Sequence, residues 1–254
     1  MRALLALLLV LTTGGTVLAE DYLLGKDVRL EVFRPDSQEP VPAVLLLHGC
    51  GGLTPKVREG LMTHAKAFNQ AGFAAVLVDS FGPRGRSGGE VCESLEALRY
   101  ARFYRLDDAF AAKDFVANLP GIDPRHLFLM GQSNGGSVAL LAAQQRAGAG
   151  DPFTAVAAYY PWCGALADVP ELVSPLLVFG AGRDGWVPPA ACEVKAGAAR
   201  GGPLEVVIYP EALHSFDLPI PAQDYAGQRV GGDPAAAADS RARMIAFFKA
   251  AMGR

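Results

Sequence analysis

Five apolar runs recur along the 254-residue chain, PAVLLLHG, FAAVLVDS, LFLMG, FTAVAAYYP and PLLVFGAG, followed by the more mixed LEVVIYP. Runs of this kind read as strands buried on both faces, the pattern of a parallel sheet covered by helices on either side. An earlier run, VRLEVFRP, alternates like a half-exposed strand. The segments between the runs have helical spacing. KVREGLMTHAKAFNQAG puts Leu61, Ala65 and Phe68 on one face and stops at Gly72. Ser94–Leu119 predicts a long amphipathic helix with Leu98, Ala101, Ala109, Phe110 and Phe115 on its buried stripe. Further helices are predicted through Val138, Leu140, Leu141 and Ala143, over Pro189–Arg200 and over Pro234–Ala251, whereas GQRVGGDPAAAAD reads as a surface loop. With 51% hydrophobic residues and no internal repeat, linker or break in composition, residues 20–254 are expected to form one domain. In such a sheet the functional groups lie beyond the carboxyl ends of the strands.

The first residues, MRALLALLLVLTTGGTVLAE, place Arg2 before a short apolar block and then small residues, with Val17 and Ala19 suiting cleavage before Glu20. Residues 1–19 therefore read as a secretory signal peptide, since the block is shorter than the roughly 20 residues of a membrane span. Its removal takes Arg2 from the 23 basic residues and leaves 22 against 26 acidic, a balance of −4. Basic and acidic residues are interspersed, so the footprint of a nucleic-acid partner is missing, and no membrane partner is expected once the signal is removed. Export would carry Cys50, Cys92, Cys163 and Cys192 into an oxidising compartment. Of three possible pairings, Cys50 with Cys92 and Cys163 with Cys192 are expected, because each links loops that follow neighbouring strands. The cysteine spacing is not that of a zinc site, and neither metal nor cofactor is called for.

The stretch LFLMGQSNGG puts Ser133 in a glycine-rich turn between a strand and a helix. Such a serine either caps the helix or stands as a nucleophile on a strained elbow. A nucleophile needs a base, because a serine hydroxyl is hardly ionised at neutral pH. His214, just past the strand LEVVIYP, is in position for that. His64 falls inside a helix and His126 at the far end of a strand, so both read as structural or surface residues. The base in turn needs an acid to fix its tautomer, and Asp184 in LLVFGAGRDGWVPP follows a strand on a short loop. Asp79 reads as an organiser of its own loop, and Asp217 as too near His214 in sequence to reach around the imidazole. An oxyanion hole is expected from HGCGG, where the amide of Cys50 or Gly51 joins that of Asn134, with His48 orienting the loop.

The segments LLLHGCGG, VLVDSFGPRG, GQSNGG, GAGRDGWVPP and ALHSFD together resemble the dienelactone hydrolase family of the α/β-hydrolase superfamily, from Val28 to Met252. The resemblance implies an α/β-hydrolase fold, a mostly parallel central sheet between two helical layers, carrying the order Ser133, Asp184, His214. Dienelactone hydrolases proper use cysteine where this chain has Ser133, so a general hydrolase of carboxylic esters or lactones is the implied activity. Its partner would be a small-molecule ester or lactone, and the oligomeric state stays open. The same triad also serves peptidases and carbohydrate esterases, and a non-catalytic periplasmic binding protein could keep the fold. In DSFGPRGRSGGEVC, Arg84 or Arg86 either clamps a substrate carboxylate or pairs with Glu90 or Glu93. Phe81, Tyr160 and Trp186, with Trp162 and Phe216, either line an apolar acyl or aryl pocket or pack against the disulfides.

Overall fold

The computed structural model describes residues 19–86, 89–144 and 151–253, so the expected signal segment lies outside the described residues apart from Ala19. Strands β1 (Glu20–Leu24), β2 (Val28–Phe33) and β3 (Val41–Leu47) lead into helix α1 (Pro55–Gln70) and strand β4 (Ala74–Asp79). Helix α2 (Leu95–Ala117), strand β5 (Ile122–Gln132), helix α3 (Asn134–Gln144) and strands β6 (Val156–Tyr159) and β7 (Leu176–Ala181) follow. Helix α4 (Ala190–Ala198), strand β8 (Leu204–Tyr209), the short strands β9 (Gln223–Tyr225) and β10 (Gln228–Val230), and helix α5 (Pro234–Ala251) complete the order.

Eight strands form one sheet in the order β1-β2-β4-β3-β5-β6-β7-β8. From β4 to β8 all neighbours are parallel, while β1 and β2 form an antiparallel edge. The apolar runs explain this placement: alternate residues of a strand face opposite sides, and here both sides are covered. Leu45, Leu47, Val76, Val78 and Leu129 pack with Val138 and Leu140 of α3 and with Ala109 and Val116 of α2. Val44, Leu46, Leu77, Phe128 and Met130 face the other way, against Leu61 and Phe68 of α1 and Met244 and Phe248 of α5.

Three features depart from the sequence expectations. Strand β1 pairs with β2 through residues that are alternately half-buried and exposed, so no apolar run marks it. The segment expected to be a surface loop contributes β10, which pairs with β9 in a hairpin; Val230 also bridges to His214. Helix α2 begins where predicted, with Ser94 Oγ accepting from the Ala97 amide at 3.2 Å. Its buried face is different from the expected one: Arg105 and Asp108 are buried along with Ala101, Ala109 and Phe110, while Leu98 and Phe115 are only partly covered.

Candidate active site

The turn from β5 to α3 brings the backbone of two elements into contact. A Cβ on Gly131 would stand 2.1 Å from the Gly135 carbonyl oxygen, and one on Gly135 would stand 2.5 Å from that of His48. Side chains at these positions would force the helix away from the sheet. Ser133 between them has φ +52°, a left-handed conformation that costs a residue with a Cβ. The Ser133 amide donates to the Tyr159 carbonyl at 2.9 Å, and its carbonyl accepts from the Ser137 amide at 2.9 Å, which fixes the hydroxyl at the carboxyl edge of the sheet.

His214 Nε2 lies 2.9 Å from Ser133 Oγ, and His214 Nδ1 lies 2.6 Å from Asp184 Oδ2. The other oxygen of Asp184 accepts from the amides of Trp186 at 2.8 Å and Val187 at 3.0 Å, so its carboxylate is aimed by the turn that carries it. The two loops are tied together by the Arg183 amide, which donates to the Ala212 carbonyl at 2.9 Å, and the His214 loop is tied to the segment after β10 by the Gly231 amide, which donates to the His214 carbonyl at 3.0 Å. Asp184 and His214 are both buried. Three residues expected from separate strand ends are thus brought into one hydrogen-bonded line.

The loop after β3 runs against Ser133, since a Cβ on Gly49 would be 3.3 Å from that of Ser133. Asn134 is the first residue of α3, where an N–H has no carbonyl one turn back in the helix and is free for another acceptor. Cys50 is tied to Cys92 in a 3-10 turn over Glu90–Glu93, and Cys163 to Cys192 in α4, the two pairings expected from strand order. Asp79 Oδ1 accepts from the amides of Phe81 and Gly82, both at 2.9 Å. Burial works to raise the Asp79 carboxyl, but nearby His48 and these two amides outweigh it and hold it at about 2. His48 Nδ1 donates to the Gly49 carbonyl at 2.7 Å. Burial first, and then the charge of Arg105, lower the His48 pKa.

Several expected substrate contacts are used otherwise. Arg84 does not reach toward Ser133 as a free clamp: its guanidinium grips both oxygens of Asp108 at 2.8 Å and donates to the Asp27 and Ser80 carbonyls. The acid that takes it is on the buried face of α2, which the sequence stripe did not include. Phe81 is buried against the loop after β3, its ring 4.7 Å from that of His48, and does not form an open wall. Tyr160 is buried behind His214, with ring centroids 4.5 Å apart and its hydroxyl donating to Asp217 at 2.5 Å. Phe216 is a core residue against Tyr159. Trp186 alone of the four stands half-buried beside His214, 5.2 Å ring to ring, and touches Tyr225 of the β9–β10 hairpin at 6.0 Å.

Sequence reasoning gave no part to Arg105 or Tyr225 and weighed Asp217 only against His214. Asp217 is buried and accepts from His64 Nε2 at 2.7 Å, Gln132 Nε2 at 2.6 Å and Tyr160, joining the His214 loop to α1 and to the residue before Ser133. Burial alone would raise its pKa; His64, Tyr160 and Gln132 together bring it below the usual carboxylate value. Arg105 bonds Asn134 and His48, and a charged residue at the spacing of Ala101 and Ala109 was the available signal. Tyr225, whose hydroxyl lies 3.8 Å from Cys92 Sγ, had none. Among the described residues, no group of three or more side chains is arranged to hold a metal, and no helix is long and apolar enough to cross a membrane. A concavity of about 1520 Å³ is lined by Phe33, Leu53, Met62 and Asn69 among others and by none of Ser133, Asp184 and His214.

Comparison with solved structures assigns this architecture to the α/β-hydrolase class. A putative dienelactone hydrolase from Klebsiella pneumoniae shares the fold with a TM-score of 0.71 at 20% identity, covering 92% of this chain and 99% of that one. A thermophilic esterase from Thermogutta terrifontis, solved with propionate bound, has a TM-score of 0.63 at 18% identity, covering 92% of this chain and 94% of that one. Within that class the chain belongs to the dienelactone hydrolase family, which it matches over residues 28–252. Two uncharacterized proteins of Mycobacterium tuberculosis are 28% identical over 192 residues, a match spanning 68% of this chain and 63% of the length of those relatives.

Proposed function

We propose that the chain is an exported serine hydrolase that cleaves a small carboxylic ester or lactone through an acyl-serine intermediate. The observation that carries this reading is the line Ser133 Oγ, His214 Nε2, His214 Nδ1, Asp184 Oδ2, with separations of 2.9 and 2.6 Å. Ser133 Oγ attacks the carbonyl carbon while His214 Nε2 takes its proton. Asp184 accepts from Nδ1–H and stabilises the imidazolium. The carbonyl oxygen becomes an oxyanion, held by the amide of Asn134 with that of Cys50 or Gly51. Collapse expels the alcohol, which receives the proton from His214. Water, deprotonated by His214, then attacks the acyl-serine and releases the acid.

The substrate is an uncharged ester with a small acyl group. Arg84, the candidate carboxylate clamp, is engaged by Asp108, while Trp186 offers an apolar face next to His214. The Thermogutta terrifontis esterase, of the same fold, has been solved with propionate and with butyrate. Two disulfides agree with an oxidising compartment and with export by the N-terminal segment. A fluorophosphonate probe followed by intact-mass measurement tests the reading: one adduct on the wild type and none on Ser133→Ala is expected. No adduct on the wild type, or equal labelling of both proteins, would overturn it.

A further inference from the structure

We propose that Arg105 is a positioning residue that ties the two halves of the oxyanion hole into one unit and sets a positive charge behind it. The inference rests on the serine-hydrolase reading and assigns that site a residue outside its triad. Arg105 is fully buried in the middle of α2. One arm of its guanidinium donates to Asn134 Oδ1 at 2.7 Å, and the other donates to the His48 carbonyl at 2.6 Å. His48 begins the loop that continues through Gly49, Cys50 and Gly51 past Ser133. Asn134 begins α3 and carries the other proposed donor. A single planar fork therefore reaches both segments whose amides must converge on one oxygen, and its rigidity sets their spacing. Asn134 is held from its other end as well, its Nδ2 donating to the Leu98 carbonyl at 3.1 Å.

The charge of Arg105 is as informative as its geometry. Buried cations are ordinarily bonded to a carboxylate, yet among the described residues no carboxylate oxygen hydrogen-bonds to this one. The face of Phe81 lies 4.8 Å from its guanidinium carbon, and His48 Nδ1 lies 3.5 Å from one of its nitrogens. The acids nearby are committed elsewhere, Asp79 to the amides of Phe81 and Gly82 and Asp108 to Arg84. Burial lowers the Arg105 pKa to about 10, which still leaves it protonated at neutral pH. A cation kept short of a bonded counter-charge favours any state in which negative charge appears close by, and the tetrahedral oxyanion is such a state. Substrate in its ground state carries no such charge, so the benefit falls on the transition state.

The test is kinetic, with Arg105→Gln and Arg105→Lys compared against wild type on p-nitrophenyl butyrate, together with inhibition by n-butylboronic acid, which forms a tetrahedral adduct on serine. Arg105→Gln is expected to lose kcat roughly 10- to 100-fold with KM unchanged, and to weaken boronate inhibition by a similar factor. Arg105→Lys keeps the charge but cannot span both acceptors, so a smaller loss of kcat, partly restoring the Gln variant, is expected. A folded Gln variant with wild-type kcat overturns the inference, as does a loss confined to KM. Should the Gln variant fail to melt cooperatively, Arg105→Lys decides, and wild-type kcat with wild-type boronate inhibition overturns it. Absence of ester turnover and of fluorophosphonate labelling in the wild type sinks the serine-hydrolase reading and this inference with it; an active wild type beside an unimpaired variant sinks the inference alone.

Discussion

Cys50, in the loop that lies against Ser133, is covalently joined to Cys92 at the entry to α2, with their Cα atoms 5.2 Å apart. The bond closes a sequence separation of 42 residues, which by chain-entropy reasoning restricts the unfolded state by about 4 kcal/mol. It also holds a residue whose amide is proposed to face the oxyanion. The double variant Cys50→Ser, Cys92→Ser is expected to melt at lower temperature and to lose kcat more than it raises KM. Differential scanning calorimetry with steady-state kinetics on a butyrate ester checks both, and unchanged kcat would show that the loop keeps its shape without the bond.

Asp217 is a buried anion serving three donors, so an amide in its place cannot satisfy them equally. Asp217→Asn is expected to lower stability by about 3 kcal/mol, because His64 and Tyr160 lose a charged acceptor inside the core. Since the same loop carries His214, kcat is expected to fall as well. Urea unfolding at neutral pH gives the first quantity; a loss below about 1 kcal/mol would mean that the network is replaceable.

Acid should weaken the protein through Asp79. Its folded pKa, about 2, lies below the ordinary carboxylate value of 3.8, so its contribution is fully present above pH 4 and is lost as the pH falls toward 2. The shift corresponds to about 2 kcal/mol. Asp79→Asn is therefore expected to be less stable than wild type at pH 6 and to approach it near pH 2. Urea midpoints across that range provide the check, and a constant difference would assign the effect to packing.

Arg84 grips both carboxylate oxygens of Asp108, each at 2.8 Å. Arg84→Met is expected to destabilise the protein by about 2 kcal/mol, since it leaves a buried carboxylate without its bidentate partner. Its KM for an uncharged butyrate ester should equal that of wild type, and its KM for a carboxylate-bearing ester should also be unchanged. A selective rise in KM for the anionic ester would restore the clamp.

Much of the sheet was legible because a strand covered on both faces must be apolar along its whole length, as PAVLLLHG and FAAVLVDS are. Ser133, Asp184 and His214 could be picked out for a related reason: Ser133 directly follows β5, and Asp184 and His214 sit in the loops after β7 and β8. What could not be read depends on partners distant in sequence. Strand β1 is an edge with alternating exposure, and β9 and β10 are three residues each, too short for any period to register. Asp217 looked unsuited to the imidazole of His214, and indeed faces His64 instead, a contact made across 153 positions. Arg105 could have been noticed as the charged member of an apolar stripe, but its acceptors at His48 and Asn134 exist only once α2 crosses the two loops.

The β9–β10 hairpin comes after the last strand of the main sheet and before α5. It reaches back so that Tyr225 meets Trp186 and Cys92, while Val230 touches His214. The surroundings of His214 and Trp186 are thus drawn in part from a short appendage that stands apart from the main sheet holding Ser133 and Asp184. Lengthening or shortening that appendage would change what stands around His214 while the line from Ser133 to Asp184 stays where the sheet puts it, so the surroundings of that line can vary without the line itself.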